Sequence, residues 1–221
     1  MLENNNINKF IRTKRRLIDA FCVMIFLSIS VFPAQLIIPT TGRVKSGLNY
    51  VSSPLESENA FIEDLTNGKP EEIVGLWLPG LAGLVVEKQA EGEPGYVSEK
   101  TNNVTRFQLA DKFGSIGLLA HAHKAGTIFH KLITGQIVTL IYGDGSTVGF
   151  KIDEIRLYQA LDPADPHTGF KSLLPGGASI SQEELFYEIY DQPGRLVLQT
   201  CIINDNNNLW GRKFIIATKL Q

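Results

Sequence analysis

Apolar and polar positions divide this chain into an apolar N-terminal stretch, a polar middle with one helix, and a long β-rich remainder. From about Leu17 to Pro39 the residues are apolar apart from Asp19, Ser28, Ser30 and Gln35. No polar face recurs at helical spacing there, which argues against a buried amphipathic helix. Lys9, Arg12, Lys14, Arg15 and Arg16 precede the stretch, so residues 1–16 read as a basic tail and 17–39 as a signal peptide or signal-anchor helix. The anchor is favoured, because bulky Phe32 spoils the cleavage site before Ala34. The uninterrupted core from Ala20 to Val31 is short for a span, and extension to Ile38 passes a kink at Pro33. The basic tail then lies in the cytosol and everything after the anchor outside. Residues 40–70 read as a linker with one short helix. Pro54 opens it, Phe61, Ile62 and Leu65 form its apolar stripe, and Asn67-Gly68 stops it.

The pattern turns to strands at Ile73. Ile73–Trp77 and Leu81–Glu87 flank a turn at Pro79-Gly80, and Gly92–Gly95 is a second turn. Val104–Leu109 reads as strand or short helix, and Ser115–Ala120 as a buried strand ending at His121-Ala122-His123. Phe129–Leu132 forms a short turn. Gln136–Tyr142 and Thr147–Ala160 are strands joined by a tight hairpin at Gly143-Asp144-Gly145-Ser146. A long connection from Asp162 to Gly194 carries a capping box, Ser181-Gln182-Glu183-Glu184, and a helix to about Tyr190. Two last strands, Leu196–Cys201 and Trp210–Ala217, flank the polar loop Asn204-Asp205-Asn206-Asn207-Asn208. Many short strands with regular turns predict an all-β barrel or sandwich over residues 71–221.

Composition adds limits. A hydrophobic fraction of 43% supports a core, and a net charge of -2 offers nothing to nucleic acid. The two cysteines are Cys22, inside the apolar stretch, and Cys201, which argues against an internal disulfide. Cys201 is then a lone thiol in the folded part, and a lone Cys with a His elsewhere is a candidate nucleophile. If the last two strands pair antiparallel, Cys201 and Arg212 share one end of a sheet. His121 or His123 supplies an imidazole to activate the thiol, and Arg212 a guanidinium for a developing oxyanion. These are the parts of acyl transfer through a thioester. Blander readings stand beside this one: Cys201 as a small buried apolar group, Arg212 in a surface ion pair, either His as a solvated loop residue.

From about residue 104 onward the chain resembles a sortase, the thiol transpeptidase family of bacterial surfaces. The resemblance rests on Thr200-Cys201 at the end of a strand and Arg212-Lys213-Phe214-Ile215-Ile216-Ala217 opening the next. Leu118-Leu119-Ala120-His121, then Phe129, Leu132 and Gly135, complete it. It departs from the family at Ala120, where Gly is usual before the His. The resemblance implies a closed β-barrel of about eight strands with short helices. It implies Cys201 as nucleophile, His121 as general acid and base, and Arg212 as oxyanion or substrate-orienting residue, with Thr200 and Ala120 lining the substrate site. The substrate it implies is a sorting motif of Leu-Pro-x-Thr-Gly type on surface proteins, cleaved after Thr. The acyl group passes to an amine of the cell wall or a pilin. The 162–194 connection would face the substrate, and a helix there resembles class B members. No cofactor is implied; calcium binds some members, with no ligands placed here.

Other motifs compete. Ile38-Pro39-Thr40-Thr41-Gly42 reads like a sorting motif, as an internal pseudo-substrate, a self-cleavage site or chance. His121, His123 and His130 offer a metal reading, but no second Cys or acidic ligand lies nearby in sequence. Asp205-Asn206-Asn207-Asn208 hints at a calcium loop, but Leu209 stands where an oxygen ligand is needed. Two further functions remain open beside the transpeptidase: a non-catalytic anchored barrel that binds a surface peptide or polymer, and a cysteine peptidase that only hydrolyses.

Overall fold

The structure is a computed structural model and describes residues 54–90 and 92–221. The basic tail, the apolar stretch, Cys22 and the Ile38–Gly42 motif lie outside the described residues. Among the described residues, no helix is long and apolar enough to cross a membrane.

Helix α1 (Pro54–Leu65) leads into β1 (Ile73–Leu78) and β2 (Ala82–Lys88). A long connection carries the chain to β3 (Asn103–Arg106), a single turn α2 (Gln108–Asp111) and β4 (Ile116–Ala120). The 104–109 stretch is therefore both a strand and a helical turn, with Phe107 between them. The short turn α3 (Gly126–Phe129) precedes β5 (Ile137–Tyr142) and β6 (Thr147–Ala160). The 162–194 connection holds two short strands that the pattern did not predict, β7 (Phe170–Ser172) and β8 (Ser179–Ile180). It ends in α4 (Gln182–Tyr190), whose N-terminus carries the reciprocal Ser181/Glu184 capping box. β9 (Arg195–Asn204) and β10 (Asn207–Lys219) finish the chain.

The strands pair in the order β10-β9-β4-β3-β2-β1-β5-β6, and β6 pairs again with β10. That last pairing closes an eight-stranded barrel, so the choice between barrel and sandwich falls to the barrel. Two of its pairings are parallel, β2 with β3 and β4 with β9. β7 and β8 extend the sheet beyond β6 as a flap.

The final strands alternate poorly in sequence because both of their faces are covered. Leu196, Leu198, Ile215 and Ala217 fill the barrel interior with Leu118, Leu140 and Ile152. Val197, Phe214 and Ile216 face outward into a second core, where Phe186, Ile189 and Tyr190 of α4 pack with Phe107 and Tyr158. A sheet buried on both sides loses the apolar-in, polar-out signature. α1 covers a third patch, where Phe61, Ile62 and Leu65 pack on Trp77 and Ile141.

The β9–β10 hairpin is tighter than the Asn-rich loop predicts. Asn204 pairs with Asn207, and Asp205 and Asn206 both take positive φ, 49° and 61°. Two such residues make the left-handed two-residue turn that fits the strand twist, and Asn and Asp tolerate it best after Gly. Residues beyond Asn207 slip out of register until Gly211 pairs with Ile202. This bulge lies immediately before Arg212.

Candidate active site

Register on three neighbouring strands brings the predicted site residues together. Arg212 pairs directly with Cys201 across β9 and β10. Ala120 pairs with Thr200 across the parallel β4 and β9, so His121 comes level with Cys201 on the other side. Side chains alternate along a strand. Leu118 and Ala120 point inward and Leu119 outward, and the same alternation, continued one residue past the end of β4, turns His121 outward. Leu198 points inward and Val197 outward, which sends Cys201 outward. Arg212 shares the outward face with Phe214, and its guanidinium lies 6.0 Å from the Phe170 ring centre. His121, Cys201 and Arg212 thus form one rung on the outer face, beside the β7–β8 flap.

Thr200 and Ala120 point the other way. The Thr200 hydroxyl donates to the Ala120 carbonyl at 2.9 Å, and both side chains are buried on the barrel side. They tie β4 to β9 beneath the rung.

Cys201 is half-buried with a free thiol. Arg212 is only 2% exposed, so it is not the surface ion pair of the blander reading. Its Nη1 donates to the Gly211 carbonyl at 2.8 Å and more weakly to that of Leu209 at 3.4 Å. Among the described residues no carboxylate forms an ion pair with it. A buried cation without a counter-charge is costly for a fold to keep. It makes chemical sense where negative charge develops during a reaction.

His121 is largely buried, and its Nε2 lies 3.2 Å from Glu99 Oε1. That is ion-pair distance without hydrogen-bond alignment, and Nε2 makes no hydrogen bond. The ring stacks on His123 with centres 5.5 Å apart. Burial is the main effect on its pKa and pulls it down; Glu99 and the Val97 backbone resist, while His123 and Lys124 add to the lowering. The imidazole therefore stays neutral, and able to take a proton, to a lower pH than an ordinary His.

The backbone after His121 is tightly drawn. Its carbonyl accepts from the N–H groups of Lys124 at 2.9 Å and Gly126 at 3.0 Å. A β-carbon at Gly126 would lie 2.2 Å from Thr200 Oγ1 and 2.6 Å from the His121 carbonyl oxygen. Gly126→Ala is expected to destabilise the domain by about 1–3 kcal/mol, the range for forced overpacking. It should also slow Cys201 alkylation, since both strands of the rung must shift. Thermal melting and thiol-labelling rates on the same sample check this.

Three further neighbours border the site, of which the sequence reading singled out only His130, as a candidate metal ligand. Glu99 sits in the connection between β2 and β3, far from His121 in sequence. His130, read as a turn residue, places Nε2 at 3.1 Å from the Cys201 carbonyl. Lys213 is 6% exposed, faces inward opposite Thr200, and donates from Nζ to the His130 carbonyl at 3.2 Å. A signal for Lys213 was available: alternation places it on the same face as Ile215 and Ala217, where a cation needs a partner. Among the described residues, no group of three or more His, Cys, Asp or Glu is placed to hold a metal ion.

No family model matches this chain, and no curated protein matches it. Solved sortases do match it. Sortase C1 from Streptococcus suis is 16% identical, over 93% of this chain and 94% of that one, with a TM-score of 0.46. Clostridium perfringens sortase C, solved with the C-terminal cell wall sorting motif, is 14% identical over 76% and 87%, with a TM-score of 0.42. Sortase A of Listeria monocytogenes is 13% identical over 67% and 88%, with a TM-score of 0.40.

Proposed function

We propose that this chain is a sortase-like cysteine transpeptidase that cleaves a Leu-Pro-x-Thr-Gly-like sorting motif and passes the acyl group to an amine. The observation that carries the reading is the paired Cys201 and Arg212 on β9 and β10, with His121 directly after the end of the neighbouring β4. A nucleophile, a base and an anion-stabilising group side by side are what acyl transfer needs.

In this reading His121 takes the Cys201 proton, and the thiolate attacks the Thr carbonyl carbon of the bound motif. Arg212 meets the negative charge on the carbonyl oxygen. The C–N bond to Gly breaks, and His121 returns the proton to the leaving amine. The thioester then yields to an incoming amine of the cell wall or a pilin, or to water when no amine arrives. The β7–β8 flap supplies a wall for the motif, with Leu173 and Leu174 exposed in the turn between its two strands. Thr200 and Ala120 serve substrate binding by fixing the strands that carry Cys201 and His121. The 17–39 stretch anchors the domain on the outer side of the membrane, where surface proteins bearing the motif would reach it.

The test incubates the domain from about Ser46 onward with a library of sorting-motif peptides, with and without a glycine-based amine. Mass spectrometry reads the products. Cleavage after Thr with amine transfer supports the proposal, and cleavage that ignores the amine points to a peptidase. No product, together with a Cys201 that resists alkylation, would sink it in favour of a binding module.

A further inference from the structure

The connection between β2 and β3 is a long irregular segment, yet its described residues are tethered at several points. Gln89 donates to the carbonyls of Pro94 and Tyr96, and receives the Gln108 backbone N–H. Glu87 is a hub at its base, accepting from Tyr96, Lys100 and Asn103 side chains. The Ser98 N–H donates to the buried Thr105 hydroxyl at 2.8 Å, and the Lys100 N–H donates to the Ser98 hydroxyl. Glu99 lies between these two tethered residues. Its carboxylate is 65% exposed, but one oxygen is set 3.2 Å from Nε2 of His121. An exposed glutamate has many rotamers in water, and holding one against a buried imidazole requires a fixed backbone.

We propose that Glu99 is a positioning residue for His121, and that the tethered 89–102 connection exists to hold that carboxylate against the imidazole. The inference rests on the transpeptidase reading of the rung. When His121 takes the Cys201 proton it becomes a cation in a mostly buried place. His123 and Lys124 beside it oppose that charge, and Arg212 adds a second cation across Cys201 on the same rung. Glu99 is the anion among these neighbours and favours the imidazolium. Its contact is one of charge rather than an aligned hydrogen bond. The role is electrostatic: a carboxylate carried by a loop offsets the charge the ring takes up.

The test compares the wild-type domain with Glu99→Gln and with Lys100→Met, which loosens the tether while leaving Glu99 in place. Imidazole NMR titration of the four histidines, assigned with His121→Gln, is run on each. The acid limb of kcat/KM for the best peptide is measured alongside. Glu99→Gln is expected to move both the His121 titration and the acid limb to lower pH, because the anion that favours the charged ring is gone. The loss in kcat/KM at neutral pH is expected to be about two- to fivefold, the scale of a partly exposed charge pair. Lys100→Met should give the same shift, but smaller. An unmoved titration, or a rise in activity as if a blocking carboxylate had been removed, would overturn the proposal. If the wild type makes no product at all, the transpeptidase reading fails, while the His121 titration still decides whether Glu99 holds the ring.

Discussion

Cys201→Ala is expected to yield neither a thioester nor an amine-transfer product, with a melting temperature close to that of the wild type. The change removes one sulfur from a half-buried position at the outer rim of β9. Cys201 belongs to neither of the two large buried clusters that flank that strand, so little packing is lost. The catalytic loss is expected to be at least about 10⁴-fold in kcat, as when a nucleophile is removed from a set that acts as a unit. Intact mass of the wild type mixed with peptide should show an acyl adduct that the variant lacks. A variant that still transfers acyl groups would place the nucleophile elsewhere. A variant that melts far lower would mean that the thiol is a packing group.

Arg212 separates stability from catalysis more sharply. Arg212→Lys is expected to lower kcat by about 10²–10³-fold, the scale of losing one oxyanion donor. Lysine keeps the charge but loses the planar fork, so it cannot both bond the Gly211 carbonyl and reach a substrate oxygen as arginine does. Arg212→Met should be as inactive, yet its melting temperature should hold or rise. The reason is that it replaces a buried cation, which no carboxylate among the described residues pairs, with an apolar chain beside Phe170. Steady-state kinetics and thermal unfolding on the three proteins give the two readouts. If activity and stability fall together in both variants, Arg212 is structural.

What the sequence reveals follows from how local each feature is. Thr147–Ala160 is legible to the residue because its turn chemistry and β-rich run are contiguous. The Ser181/Glu184 box is likewise contained in four residues. The rung is legible in part: Cys201 and Arg212 are joined by a hairpin, and pairing follows from it. His121 comes in only through the parallel β4–β9 pairing, which joins segments 80 residues apart, as from Ala120 to Thr200. Resemblance, not pattern, supplied that link. β7 and β8 are too short to show a period at all. Glu99 reaches the site through tertiary packing alone; His130 stands out in sequence beside His121 and His123, but as a metal candidate and not as a neighbour of Cys201.

Barrel closure has a consequence for when this thiol becomes dangerous to its surroundings. β10 is hydrogen-bonded along both edges, to β9 and to β6, and it brings Arg212. Before it docks, Cys201 sits on an open sheet edge with no guanidinium beside it. Contacts between distant segments also form late, because loop-closure entropy must be overcome first. In the transpeptidase reading, a partly folded copy therefore has the nucleophile without its anion-stabilising partner. In that reading the reaction waits on the last strand, because the ring of strands and the site are completed together.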